Sequence, residues 1–157
     1  MEKIRLRAAG QMDAEELFEW RNEEETRKNS FSSEPVQWEN HLKWLEKKLS
    51  DKNCYFYILT DGSKDMGTIR LDVEPQTRQA AVSYNIKSSC RGKGLGGKIL
   101  SLAEQKLKEQ EGEIPKRIEF LSGSVKPENK ASAKCFLKNG YMVVKQDMTE
   151  IVYRKKL

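Results

Sequence analysis

The chain has 157 residues, of which 37% are hydrophobic and 34% charged, enough for one domain with its own core and too well patterned to be disordered. Its 29 Lys and Arg against 24 Asp and Glu leave a net charge of +5, interspersed without a block of five like charges, which argues against a nucleic-acid tail. One histidine and three scattered cysteines, Cys54, Cys90 and Cys135, give neither a metal-ligand cluster nor a disulfide framework.

Residues 3–8, KIRLRA, alternate as a short strand does. Asp13 with Glu16 reads as a capping box opening a helix through Leu17 and Phe18, and Asn22 with Glu25 repeats the pattern. SFSSEP is a loop. Trp38, Leu42, Leu45 and Leu49 recur every three or four residues, so 37–49 is an amphipathic helix. CYFYIL (54–59), MGTIRLDV (66–73) and QAAVSYNI (79–86) are strands by composition and alternation, the first two joined by the turn TDGSKD. After a glycine loop, Ile99, Leu100, Ala103 and Leu107 make one helical face, with the helical pattern beginning at Lys98. Pro115 ends a linker, RIEFLSGSV (117–125) is a strand, Asn129–Asn139 is a helix stopped by Gly140, and YMVVKQD and TEIVYRKK close as a hairpin. No apolar run approaches the roughly 18 residues of a membrane span, and MEKIRLRAAG lacks a signal-peptide core, so a cytoplasmic setting is expected. A single α/β (α+β) domain over residues 1–157 follows, with a mixed central sheet of six to seven strands and about four helices.

The loop SCRGKGLGGKI fits three phosphate-binding patterns. Glycines let backbone N–H groups approach an anion, and the helix behind supplies a partial positive charge. The triphosphate pattern fails at Ile99, where magnesium needs a hydroxyl. The dinucleotide pattern is weakened by KSSCR, which separates the strand from Gly92, and by the antiparallel run of strands ahead of it.

The third pattern, RGxGxG from Arg91 to Gly96, resembles the diphosphate loop of the GCN5-related N-acetyltransferase (GNAT) superfamily. The element order, SYNI before the loop, the ENKAS helix start and the late Gly140–Tyr141 extend that resemblance over nearly the whole chain. It implies acetyl-CoA as co-substrate. The diphosphate would lie on the amides of Arg91, Gly92, Lys93, Gly94, Leu95 and Gly96, with Gly97 allowing close approach. The pantetheine would pair with Tyr84 and Ile86 and face Asn129, which also fits a plain N-cap. Lys93, Lys98, Lys134 and Lys138 are candidates for the 3′-phosphate.

Acetyl transfer to an amine needs a neutral nucleophile, a donor for the oxyanion and a route for the thiolate to leave. The resemblance implies a backbone N–H near Ile86 as donor. Its usual tyrosine acid falls on Phe136, and its glutamate base on Ala81. Ser132 and Tyr141 are substitutes for the acid. His41, the one side chain titrating near neutrality, is the first candidate base, with Glu34 and Asp72 behind it. A thiolate with an ordinary pKa of about 8.5 can leave without much help. Cys90 reads as a small packing residue.

WRN (Trp20, Arg21, Asn22), then Arg27, Ser30 and Phe31, then His41 and Trp44 resemble the subgroup that acetylates nucleotide-linked amino sugars. Tryptophan stacks on sugar or base, and arginine pairs with diphosphate. The expected partner is therefore a small-molecule amine, a nucleotide sugar first, with no nucleic acid and no membrane, and a monomer or homodimer. A ribosomal-protein-type N-terminal alanine acetyltransferase and a non-catalytic acetyl-CoA-binding module are the alternatives.

Overall fold

The computed structural model describes residues 3–109 and 118–157. β1 (Arg5–Ala8), β2 (Cys54–Thr60), β3 (Asp65–Glu74) and β4 (Gln79–Ile86) form an antiparallel meander. β5 (Phe120–Val125) joins β4 in parallel, and β7 (Ile151–Lys156) and β6 (Met142–Gln146) complete a seven-stranded sheet of order β1-β2-β3-β4-β5-β7-β6. The helices are α1 (Ala14–Asn22), α2 (Glu24–Asn29), α3 (Trp38–Ser50), α4 (Leu95–Glu109) and α5 (Lys130–Lys138). The strands come in the expected order, with five helices among the described residues where about four were expected, the short α2 being separate from α1. None of them is long and apolar enough to cross a membrane.

Strand alternation divides the apolar residues between two cores. On one face Ile69, Leu71 and Val73 of β3 and Ala80, Val82 and Ile86 of β4 meet Ile99, Leu100, Ala103 and Leu107 of α4. On the other, Phe56 and Ile58 of β2 meet Leu17, Trp20 and Leu45 of α1 and α3. The second helical layer packs over the β2 side of that face. Beyond it, Ala81 and Ser83 of β4 and Ser124 of β5 are exposed.

Local differences from the sequence expectation have physical causes. Asp13 does not cap α1 with its side chain. It accepts from the Gly10 N–H at 2.8 Å and binds the Arg7 guanidinium at 2.7 Å, because a buried carboxylate is stabilised more by a cation than by amides alone. Arg7 also holds Asp65 at 2.9 Å, tying β1 to β3. α4 starts at Leu95, three residues before the expected Lys98, so Gly96 and Gly97 lie inside its first turn. The expected linker end at Pro115 lies outside the described residues.

β4 and β5 pair over only three positions, Gln79–Ala81 with Phe120–Ser122. β4 meanwhile stays in unbroken register with β3 to Ile86, and β5 stays with β7 to Val125. The two middle strands therefore part after Ala81 and Ser122, leaving a slot in the sheet. Phe136 of α5 closes its base, stacked on Tyr153 (centroids 5.4 Å apart) and edge-on to Tyr141 (4.9 Å). A Cβ at Gly123 would collide with the Phe136 ring. Gly123→Ala is expected to lower stability by about 1–3 kcal/mol through overpacking, measured by denaturant unfolding.

Candidate active site

A cleft of about 580 Å³ follows the slot, within the size range of small-molecule sites. Its walls are Val82–Ile86 of β4, Ser124 and Val125 of β5, Cys90–Gly92 and Gly94–Gly96 of the loop and helix start, Asn129, Ser132 and Cys135 at α5, and Glu25, Thr26, Asn29, Ser30 and Phe31 at and after α2. The Arg78 carbonyl accepts from the Glu119 and Phe120 amides at 2.7 and 3.2 Å. Alternation along an unbroken strand then turns the N–H and C=O of Tyr84 and Ile86 toward the side β5 has left. The Ile86 carbonyl receives Arg91 Nε at 3.0 Å.

At the end of β4 the chain makes a 3-10 turn, Ser88–Cys90, then the glycine loop and α4. Gly92 and Gly94 have φ of +78° and +76°, the left-handed region where only glycine is unstrained. The first intrahelical bond runs from the Lys98 N–H to the Gly94 carbonyl. The amides of Leu95, Gly96 and Gly97 thus point out of the helix start, which carries the positive end of the helix dipole. Arg91 differs from the expectation. Its own N–H is used on the Ser88 carbonyl at 3.3 Å. Its guanidinium reaches Thr26 Oγ1 at 2.8 Å and Glu23 at 3.3 Å. Glu23 also accepts from the Ser88 N–H, and Thr26 donates to Asn85 at 3.1 Å. Glu23 and Thr26 bring α2 into the site, and no local sequence motif marks that contact.

Asn129 caps α5, its Oδ1 accepting from the Ser132 N–H at 3.2 Å, and it also lines the cleft. Ser132 Oγ and Tyr84 Oη are 2.9 Å apart, bridging α5 and β4 across the cleft. Burial holds the Tyr84 hydroxyl well above its ordinary pKa, so it stays protonated. Cys135 lies against the helix start, its Sγ 2.8 Å from where a Cβ on Gly96 would sit. Lys93 is exposed, and Gly97 is half-buried beside Asn139, whose Nδ2 donates to the Gly97 carbonyl. Cys90 is buried in the larger core.

The expected acceptor residues do not assemble around the cleft, and His41 is the main correction. It is 0% exposed. Nε2–H donates to the Ala14 carbonyl at 2.9 Å and Nδ1 accepts from Arg21 at 3.1 Å. It stacks between Trp38 and Trp44 at 5.8 and 5.9 Å. Both nitrogens are committed, so it is in no position to take a substrate proton. Trp20 is core, 2% exposed. Asn22 clamps the 30–37 connection, exchanging two hydrogen bonds with the Val36 backbone. Arg27 bonds the Asn22 carbonyl at 3.2 Å. Glu34 is exposed in that connection and outside the cleft wall. Asp72 is held by Arg70 at 2.8 Å and Lys48 at 2.9 Å, and these partners keep its carboxyl below the usual range against the opposing effect of burial, which makes it a weak base. Phe31, 57% exposed, stands at the cleft mouth. Arg21 and Trp44 stack on each other, the guanidinium 4.1 Å from the ring centroid, and neither is among the residues that line the cleft.

Burial, then the nearby Arg21 charge, lower the His41 pKa below 6.5, against the Ala14 bond. The unfolded chain then binds the extra proton first. The contribution of His41 is complete above about pH 6.5 and is lost as pH falls through the folded value. Unfolding titrations should show stability falling on acidification in this window, with a shallower slope in His41→Gln. The kcat profile between pH 6 and 8 should keep its shape in that variant. Asn129→Ala should cost about 1 kcal/mol of stability, read by thermal melting.

Comparison with known proteins agrees with this geometry. The family model described as "Acetyltransferase (GNAT) domain" matches residues 3–142. A structure of a domain from Methanocaldococcus jannaschii superposes with a TM-score of 0.83 at 23% identity, covering 100% of both chains. A spermidine N-acetyltransferase from Vibrio cholerae, solved with CoA and spermine, gives 0.81 at 16% identity over 98% of this chain and 94% of its own. An acetyltransferase from Salmonella typhimurium that modifies the N-terminal serine of ribosomal protein L7/L12 gives 0.78 at 14%, over 97% and 94%. No curated protein sequence matches this one. With its family model spanning most of the chain and the parted strands at its centre, this protein belongs to the GNAT acetyltransferases, enzymes that take the acetyl group from acetyl-CoA.

Proposed function

We propose that the cleft holds acetyl-CoA along β4 and passes its acetyl group directly to a primary amine arriving over the open face of β4, in a ternary complex. The observation that carries this reading is the parting of β4 from β5 with the start of α4 at its end. The outward amides of Leu95, Gly96 and Gly97 and the left-handed glycines at 92 and 94 suit a diphosphate. Lys93 flanks them. The slot edge of β4 offers Tyr84 and Ile86 backbone groups to an extended amide chain, with Asn129 opposite. The residues therefore fit the coenzyme, which when bound supplies an activated acetyl thioester.

The remaining roles fall to this chain's own groups. An N–H on the slot edge of β4, near Ile86, donates to the acyl oxygen. The Tyr84–Ser132 hydroxyl pair stands where Phe136 leaves no acid, and Tyr84 carries a proton at all working pH values. Ala81 and Ser83 are exposed, so water reaches the amine and takes its proton.

For the acceptor, a nucleotide-linked amino sugar is the reading carried by the resemblance of WRN, Arg27–Phe31 and His41–Trp44, and of that set Ser30 and Phe31 line the cleft. The peptide-acetylating neighbour supports the N-terminal peptide as the second reading.

Thiol release from acetyl-CoA is the assay, run with nucleotide-linked amino sugars, N-terminal peptides, spermidine and no amine. Turnover with an amino sugar above the other acceptors is the expected result; turnover with peptides alone would sink the sugar reading. Tight coenzyme binding with no turnover on any amine would favour a binding module. Gly94→Ala should weaken coenzyme binding about tenfold, because a left-handed alanine costs about 1–2 kcal/mol, measured by calorimetry.

A further inference from the structure

A cationic cluster stands on the open face beside the slot. Directly opposed residues in antiparallel strands point the same way. Phe56, Arg70 and Ser83 are such a row across β2, β3 and β4. Arg70 therefore lies one strand, about 4.8 Å, from the exposed Ser83. Its guanidinium is 5.0 Å from the Trp44 ring centroid, and that of Arg21 is 4.1 Å from the same ring. Two guanidinium groups thus share one indole.

Their charges are poorly balanced. Lys48 and Arg70 divide a single carboxylate, Asp72. Arg21 has no carboxylate within ion-pair distance among the described residues. It is held by His41 Nδ1, a neutral acceptor, and by the Trp44 face. The bond to His41 fixes its orientation without neutralising it, and half-burial beside Arg70 opposes its charge. A protein with three cations around one carboxylate, two of them planar and stacked, has the pieces of an oxyanion site.

We propose that Arg21 and Arg70, set on Trp44, bind the oxyanion of an acidic acceptor, a phosphate or a carboxylate placed a few bonds from its amine. This rests on the acetyl-transfer reading for its role, though not for the binding itself. His41 is then a positioning residue for Arg21. The cluster disfavours polycationic amines.

Titration of the CoA-saturated protein with inorganic pyrophosphate and with malonate tests it, because the coenzyme loop is then filled. At least one anion should bind and perturb tryptophan fluorescence, and which one binds separates the phosphate from the carboxylate source. Affinity should fall about tenfold or more in Arg21→Gln and Arg70→Gln, the scale of one charged hydrogen bond, and less in Arg21→Lys. In the unsubstituted protein the Nε–H resonances of Arg21 and Arg70 should shift during the same titration. Failure of both anions to bind, or silence of both arginine signals, overturns the proposal whether or not the variants fold. So does unchanged affinity in both folded glutamine variants. Failure of CoA itself to bind would count against the donor reading alone, and the anion titration would still decide the arginine pair.

Discussion

The early end of the β4–β5 ladder governs this molecule. Each strand is held on its outer side along its length, β4 by β3 and β5 by β7, and the sheet's twist carries the two apart once their three shared pairs are spent. A gap in the middle of a sheet leaves strand N–H and C=O groups without partners, which a buried interior does not tolerate. Here one of them, the Ile86 carbonyl, is met by Arg91. The others face a cleft wide enough for a ligand. The defect in the ladder is thus the binding feature, and α4 starts where its open edge ends.

Arg91 links the two sides of the site. Sequence resemblance assigns its amide to the diphosphate, but in the fold that amide is used on Ser88. The side chain instead bridges β4 to Glu23 and Thr26 of α2. A six-residue helix with no buried residue has little packing to hold it, so these polar ties fix its place. The loop proposed for the donor and α2, whose Thr26 lines the cleft, therefore form one hydrogen-bonded unit.

The helical layer over β2 is organised by aromatic stacking around a neutral histidine. Trp38, His41 and Trp44 lie one turn apart on α3 and form a ladder. The helix spacing that puts them on one edge was readable. The burial of that edge was not, because it depends on where Phe18 of α1 and Phe56 of β2 arrive. A histidine closed in this way trades chemistry for geometry, orienting Arg21 toward Arg70 and the open face.

By itself the sequence determined the element order, the glycine loop with its helix behind, the Asn129 cap and the absence of a tyrosine at Phe136. These are local matters of periodicity, backbone conformation and residue type. What only the tertiary structure decided is which polar groups remain free. Asp13 met Arg7, Asn22 met Val36, Asp72 met two cations and His41 was enclosed, so each lost the role its side-chain chemistry suggested. Arg70, an ordinary strand residue in the sequence, became part of an unbalanced charge cluster. Whether a polar side chain is available depends on partners far away in the chain, and no local pattern encodes them.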